Sequence, residues 1–219
     1  MSHHEPFRVT ITLRTPACLR PDLTLDAVLA AAIYLISGDV ERAHSDIPLA
    51  RTKDVWHASS IQFLGGERSS QPYIARLDSR DLVPVGYSGE ANRKGRININ
   101  ISGGYLAAQL RKLPTFIGQV AFDGNGDIEE VKSLLHALPG LGKNTRQGLG
   151  RMGEIVVASS LKDVSVIRED GLPARPTPVT TWEQWGNNPD VAAKDHVAWQ
   201  PPYWRHDQDA LCVVPTGSR

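Results

Sequence analysis

The residues best suited to chemistry lie in a glycine-rich stretch, residues 139–151, which holds four glycines and three cations. Glycine adopts positive φ and lets a backbone approach a ligand closely. Exposed backbone amides flanked by cations are typical of phosphate sites. The stretch is therefore predicted to bind phosphate, although a solvated surface loop has a similar composition. The candidate residues are Gly140, Gly142, Lys143, Asn144, Arg146, Gly148, Gly150 and Arg151.

Two nucleotide-binding motifs are excluded by the order of the surrounding elements. A P-loop needs Ser or Thr after its Gly-Lys pair and a helix after the loop. Here Asn144 follows Gly142-Lys143, and a helix-like segment precedes the stretch. Residues 148–153 have the glycine spacing of a dinucleotide site but run into a strand pattern, whereas that site requires a helix. The cations therefore indicate another phosphate-bearing ligand.

Charge is unevenly distributed along a chain whose formal net charge is zero. Residues 91–153 carry 9 Lys and Arg against 4 Asp and Glu, while residues 1–90 carry 9 against 11 and residues 154–219 carry 6 against 9. A basic segment on a neutral protein favours local contact with a polyanion inside a larger assembly. The alternative is a pair of solvated loops whose charge is balanced elsewhere in space.

Bulk properties predict a soluble, cytoplasmic protein that needs no cofactor or metal. The chain has 219 residues, of which 41% are hydrophobic, enough for one packed domain. Its longest apolar run, residues 27–36, is too short to span a bilayer. Charges interrupt the N-terminal region, so no signal peptide is expected. Two cysteines give neither a disulfide framework nor metal-ligand spacing.

Hydrophobic periodicity predicts the elements that position these residues. The expected strands are residues 7–13, 54–64, 115–122 and 154–158, with 164–167 as a further candidate. The expected helices are residues 25–36, with Thr24 at the N-cap, and 127–138. This order predicts an α+β protein with a ferredoxin-like βαββαβ plan. The glycine-rich stretch then joins the second helix to the last strand.

Two regions depart from that plan. Residues 96–101 alternate between polar and apolar side chains and, with residues 83–87, predict a β-hairpin inserted at residues 79–104. From residue 172 the composition changes, with seven of the fifteen prolines and four of the five tryptophans. A main domain at 5–170 and a C-terminal tail at 171–219 are therefore expected, the tail packing on the body or on a partner.

The glycine-rich stretch, placed after the second helix, resembles the C-terminal glycine-rich loop of the RAMP superfamily of CRISPR-associated proteins. The opening Phe7-Arg-Val-Thr and residues 25–32 resemble the Csf group of type IV CRISPR systems, in particular the subunit that caps the 5′ end of the CRISPR RNA. The resemblance spans about residues 5–160. It implies a RAMP fold and a noncatalytic, RNA-binding subunit of an antiviral ribonucleoprotein.

The resemblance also implies partners. The subunit would bind the 5′ handle of the CRISPR RNA, contact the backbone and large subunits, and lie close to target DNA near the protospacer-adjacent motif. The hairpin at 79–104 would act as a thumb over the guide. Arg93, Lys94 and Arg96 would supply its phosphate contacts.

Two other functions remain open. A metal-independent endoribonuclease that processes CRISPR repeat RNA needs a base, an acid and a cation. His44 or His57 is a candidate base, Tyr87 or Tyr105 a candidate acid, and Lys143 the candidate cation. A general RNA-binding domain would instead use aromatic residues on its sheet. The aromatics Phe63, Tyr73 and Phe122 lack the clustering of that class.

Overall fold

A computed structural model describes residues 4–76, 108–203 and 209–215 of the chain. Its strands are β1 (Glu5–Leu13), β2 (Arg51–Thr52), β3 (Val55–Trp56), β4 (Gln62–Arg76), β5 (Ala108–Gly126), β6 (Met152–Ser159), β7 (Thr177–Pro178), β8 (Ala193–Val197) and β9 (Ala210–Val214). Its helices are α1 (Leu25–Ser37), α2 (Val40–Ser45), α3 (Ile128–Ala137) and α4 (Val179–Gln184). The hairpin predicted at 79–104 lies outside the described residues.

The chain divides into two compact units. One contains Met1–Glu67 together with Phe116–Arg219, and the other contains Arg68–Thr115. Strands β4 and β5 each run from one unit into the other. The candidate residues whose geometry is given below belong to the first unit.

The main sheet has four strands in the order β4-β5-β1-β6, and β1 is antiparallel to both β5 and β6. Side chains alternate along β1, as its sequence predicts. Phe7, Val9, Ile11 and Leu13 are buried, whereas the intervening Arg8, Thr10 and Thr12 are only partly buried. The architecture is therefore α+β with antiparallel sheets.

Helices α1 and α3 cover the apolar face of this sheet. Leu25 and Leu29 of α1 and Leu135 of α3 are completely buried in the same core as the β1 side chains. Helix α1 ends at Ser37 and is capped by Gly38, which has a φ of 68° and donates its N–H to the Tyr34 carbonyl, a left-handed cap that suits glycine. Helix α3 begins after Asp127, whose carboxylate accepts the Glu130 N–H.

The segment predicted as one strand at 54–64 is divided in the structure. Only Val55–Trp56 forms β3, which pairs with β2 around Lys53 and Asp54, and β4 begins at Gln62. The residues between them bond to other segments, such as Ser59 N–H to the Asp123 carbonyl and Ser60 N–H to the Ala174 carbonyl. The further strand predicted at 164–167 is wrong, because this segment forms only an isolated bridge between Ile167 and Pro173.

The segment after residue 170 forms a small sheet of order β7-β9-β8 and buries Trp182 completely. Its Arg175 is also completely buried and donates to the carbonyls of Trp56 and Trp199 at 2.7 and 2.5 Å. The guanidinium lies 3.4 Å from the carboxylate of Asp26. This ion pair joins the first turn of α1 to a residue 149 positions later.

Tyr203 completes the cluster around Arg175. Its hydroxyl donates to Asp26 at 2.5 Å and accepts from Thr24 at 2.9 Å. Burial raises the pKa of Tyr203, and the Asp26 carboxylate raises it further, so the phenol stays protonated. Thr24 is at the N-cap as predicted, but its side chain makes no capping bond and serves this cluster instead.

Candidate nucleic-acid interface

The glycine-rich stretch is an ordered loop folded against the end of β1. The Leu141 N–H donates to the Gly150 carbonyl at 2.8 Å, which closes the loop on itself. The Gly150 N–H donates to the Pro16 carbonyl at 2.9 Å, and the Lys143 N–H to the Cys18 carbonyl at 3.1 Å. These bonds hold the loop on the residues that connect β1 to α1.

Thr15 adds a side-chain link between the same segments. Its hydroxyl donates to the Gly148 carbonyl at 2.8 Å and accepts the Arg151 N–H at 2.9 Å. Just before Gly148, Thr145–Gln147 form one turn of 3-10 helix that begins after Asn144, which has a φ of 60°. This geometry is not that of a solvated loop without fixed structure.

Several backbone amides of the loop are already used within the protein. Besides those of Leu141, Lys143, Gly150 and Arg151, the Gln147 and Gly148 amides donate to carbonyls of the same turn. The sequence pattern predicts a run of exposed amides for phosphate, and these six do not provide it. The glycines have another role, because Gly142 and Gly150 have φ of 93° and 66° and a Cβ there would overlap the carbonyl oxygens of Cys18 and Leu141.

The cations of the loop are exposed. Lys143, Arg146 and Arg151 form no ion pair with any residue in the part of the chain that the structure describes. Elsewhere in that part, exposed cations such as Arg42 and Lys194 are paired with carboxylates four positions away in the sequence. The loop therefore presents uncompensated positive charge on a rigid backbone.

Arg14 belongs to the same surface, although it lies outside the glycine-rich stretch and was not among the candidate residues. It is exposed at the end of β1, and its N–H donates to the Arg151 carbonyl at 2.8 Å. The prediction that β1 and the last strand share a sheet could have identified it, because the end of β1 then lies beside the start of β6. The name basic loop surface is used below for Arg14, Lys143, Arg146 and Arg151.

The three hairpin cations Arg93, Lys94 and Arg96, and the candidate acids Tyr87 and Tyr105, lie outside the described residues. His44 lies on α2, and burial lowers its pKa. Phe122 is completely buried in the core and cannot stack on a ligand, while Phe63 packs edge-on against Phe116 with 4.8 Å between ring centroids.

His57 takes part in a hydrogen-bonded chain that the sequence does not reveal. Its Nδ1 lies 2.5 Å from the Asp163 carboxylate, and its Nε2 lies 2.8 Å from the Thr52 hydroxyl. Asp163 also accepts from the Asn125 side chain and from both the N–H and the hydroxyl of Ser165. Burial alone would raise the pKa of Asp163, but these hydrogen bonds outweigh it and hold the pKa well below its usual range. The carboxylate therefore stays ionised and orients the imidazole.

Neither a membrane span nor a metal cluster is found in the described parts of the chain. No helix there has the length and apolar character needed to cross a bilayer. No group of three or more His, Cys, Asp or Glu side chains there is arranged to hold a metal ion.

Comparison with known proteins identifies one family. Residues 5–215 match the family model described as CRISPR type IV associated protein Csf3. Comparison with curated proteins finds no match. Among solved structures, the chain is similar to one from the cryo-EM structure of the type III-B Cmr-beta bound to cognate target RNA, with 14% identity and a TM-score of 0.35. The match covers 71% of this chain and 61% of that chain.

Proposed function

Because the chain belongs to the Csf3 family of CRISPR type IV associated proteins, we propose that it is a noncatalytic RNA-binding subunit of a type IV CRISPR ribonucleoprotein. The basic loop surface carries the proposal. Its four cations are exposed and form no ion pair with a described residue; three lie on a loop fixed by backbone bonds to the segment after β1, and the fourth, Arg14, lies at the end of β1 itself. Such a surface suits a phosphate backbone, because each contact releases counterions without first breaking an internal salt bridge.

Within that function, the ligand is the 5′ handle of the CRISPR RNA, and the fold is the ferredoxin-like RAMP fold. The strand order β4-β5-β1-β6 supports this fold, since it places the first and last strands of the βαββαβ plan side by side. The hairpin at 79–104 folds over the guide as a thumb, with Arg93, Lys94 and Arg96 on phosphates. The protein contacts the backbone and large subunits in the cytoplasm and lies near target DNA at the protospacer-adjacent motif.

The test is RNA binding by a Lys143→Ala, Arg146→Ala double variant of the full chain across a salt series. Affinity for CRISPR RNA is expected to fall strongly, and the slope of log affinity against log salt to flatten by about 0.7 unit per lost contact. The matched control removes two cations of other elements, Arg42→Ala with Lys194→Ala, and is expected to bind as the wild type. Unchanged affinity in the loop variant would remove the loop from the RNA site.

A second candidate function, a metal-independent endoribonuclease, is favoured by the His57 chain. A carboxylate on Nδ1 and a hydroxyl on Nε2 is the arrangement of a general base with an orienting partner. In this reaction His57 would take the proton of a 2′-hydroxyl bound in place of the Thr52 hydroxyl.

Cleavage of CRISPR repeat RNA in EDTA separates the two functions. The noncatalytic function predicts no specific cleavage, and therefore no effect of His57→Ala or His44→Ala on processing. Specific cleavage by the wild type that is lost in the His57→Ala variant would establish the endoribonuclease. The same loss in the His44→Ala variant would place the base on α2.

A further inference from the structure

A cleft of about 1,210 Å³ opens on the sheet face that α1 and α3 leave uncovered. Side chains from all four strands line it, including Arg8 of β1, Gln62 of β4, Asp123 of β5 and Ser159 of β6. Residues 160–162, 164 and 168–170 form the other wall. The glycine-rich loop enters β6 at its first residue and the cleft lies at its last, about 23 Å away along an eight-residue strand. The cleft is therefore separate from the basic loop surface.

The floor of the cleft holds a guanidinium in one fixed orientation. Arg8 donates from Nη1 to the Asp123 carboxylate at 2.9 Å and from Nη2 to the Gln62 side-chain oxygen at 2.7 Å. Gln62 in turn donates to Asp123 at 2.6 Å. The Arg8 side chain is nevertheless 40% exposed. A planar guanidinium held in this way gives an unpaired base a surface on which to stack.

Ser60 lines the same cleft and has an unsatisfied hydroxyl. The residue is only 4% exposed, and its Oγ has no hydrogen-bond partner among the residues the structure describes. Its position is fixed, because its N–H donates to the Ala174 carbonyl at 2.8 Å. Buried side-chain hydroxyls are nearly always hydrogen-bonded in folded proteins. The Oγ has almost no solvent-accessible area, so a ligand with a polar edge would satisfy this group once the side chain turns toward the cleft.

The charge of the cleft indicates what kind of ligand it takes. Its lining contains three cations and three acids, and two of the acids, Asp123 and Asp170, are paired with Arg8 and Arg168. This balance does not suit a run of phosphates. A neutral planar ring that donates and accepts hydrogen bonds suits it better, and Phe63 and the fully exposed Leu161 supply apolar contacts.

We propose that this cleft binds an unpaired nucleobase of a single-stranded nucleic acid. The site goes beyond the RNA contacts of the basic loop surface and does not depend on them. The base stacks on Arg8, contacts Leu161 and hydrogen-bonds to Ser60. Specific recognition of single strands uses such splayed bases, stacked on aromatic or guanidinium planes.

The test measures binding by the full chain with Ser60→Ala and Leu161→Ala, singly and combined. Neither residue supports the fold, since one has an unpaired hydroxyl and the other is fully exposed. Each single variant is expected to bind a short single-stranded RNA about threefold to tenfold more weakly, the loss of one hydrogen bond or apolar contact. The matched controls, Ser45→Ala and Leu211→Ala, alter an exposed serine and an exposed leucine elsewhere and are expected to bind as the wild type.

The probes identify the source of the base. They are RNA and DNA of the same sequence, an RNA series with one abasic position each, and the four free nucleosides. One RNA of the abasic series lacks the base that the cleft binds. That RNA is expected to bind the wild type and the Ser60→Ala variant with equal affinity. For the Ser60→Ala and Leu161→Ala variants, the slope of log affinity against log salt is expected to stay at its wild-type value. The slope of the Lys143→Ala, Arg146→Ala double variant is expected to flatten, so the loss of one site can be distinguished from the loss of the other.

Wild-type affinity of the combined variant for every probe would overturn the proposal. If that variant also no longer assembles with the other subunits of the complex, the cleft is assigned to a protein segment instead.

Discussion

A single carboxylate, Asp163, connects three segments that are distant in sequence. It accepts hydrogen bonds from His57 after β3, from Asn125 near the end of β5, and from Ser165 beyond β6. Because these donors hold its pKa below the usual range, the charge persists in acid. This network fixes the imidazole whether or not the imidazole takes part in a reaction.

Replacing Asp163 with Asn is expected to lower the free energy of unfolding near neutral pH by about 1–3 kcal/mol, since buried donors lose their charged acceptor. A folded-state pKa below the unfolded value stabilises the fold at pH above the unfolded value, 3.8, and this contribution is lost as the pH falls below it. Urea unfolding of wild type and variant from about pH 7 to pH 3 is therefore expected to show a difference that shrinks in acid.

The control for this experiment is Asp170→Asn, which alters a half-exposed carboxylate on the same segment. This variant is expected to change the free energy of unfolding by no more than a surface ion pair usually contributes, about 0–1 kcal/mol. If the difference in unfolding free energy between the wild type and Asp163→Asn stays constant down to pH 3, the assigned pKa shift is contradicted.

Arg175 gives a stronger prediction, because no part of it reaches solvent. Burial alone would lower its pKa, but Asp26 and Tyr203 raise it, so the guanidinium is charged. Arg175→Met leaves the Asp26 carboxylate buried without its cation and is expected to cost about 3–5 kcal/mol of unfolding free energy. Denaturant unfolding measures this loss.

The double variant Asp26→Asn, Arg175→Met tests the pairing itself. It is expected to be less destabilised than the sum of its two single variants, because the second change removes the charge that the first leaves unpaired. Exact additivity would show that the two residues act independently.

At the scale of elements, the glycine-rich loop is held by conformations that only glycine adopts without strain, and two of its glycines form a matched pair. Gly148 and Gly150 have φ of 88° and 66°, but a Cβ at Gly148 meets nothing, whereas one at Gly150 overlaps the Leu141 carbonyl. Gly148→Ala is expected to cost only the left-handed conformation, about 1–2 kcal/mol. Gly150→Ala is expected to cost about 1–3 kcal/mol more.

Thermal unfolding of the two alanine variants, together with their affinity for RNA, checks this difference. The Gly150 variant is expected to lose RNA affinity as well, since moving the loop moves Lys143 and Arg151. Equal stability of the two variants would mean that the loop relaxes freely and is not the rigid support described above.

Long periodic elements could be predicted from the sequence, and local hydrogen bonding could not. The alternation in β1 and the apolar face of α3 follow from one stretch of chain each, so their positions were predicted to within a few residues. The break at residues 57–61 was missed because Ser59 and Ser60 bond to carbonyls of Asp123 and Ala174. Those partners are distant in sequence and leave no local pattern.

The candidate site shows the same division. Composition located the cations of the loop, but several of the backbone amides that the loop was expected to offer are bonded within the protein, for example those of Gly150 to Pro16 and Lys143 to Cys18. The His57 partners lie 5 and 106 positions away, a separation that no motif encodes. Arg14 was accessible through the predicted sheet order alone.

At the scale of the whole molecule, the segment after residue 170 is tied to the body of the first unit by buried polar contacts and buries side chains of its own. It supplies the counter-ion of Asp26, donors to the Trp56 and Ala58 carbonyls, and the completely buried Trp182. A chain ended at residue 170 is therefore expected to lose cooperative unfolding, measured by circular dichroism during heating and by size-exclusion chromatography.

The control variant, Val191→Ala, changes an exposed side chain of the same segment and is expected to unfold as the wild type. A shortened chain with a wild-type unfolding midpoint would show that the segment is an independent appendage.

The pairing of Asp26 with Arg175 has a consequence for synthesis on the ribosome. The α1 carboxylate leaves the ribosome 149 residues before its cation, and β1 leaves before either of its sheet neighbours, β5 and β6. At the usual speed of about 5–20 residues per second, the Asp26 carboxylate waits roughly 7–30 s for its cation. During this time the N-terminal segments must stay soluble unaided or bind chaperones. Pauses in translation before residue 175 are therefore expected to lower the yield of folded protein.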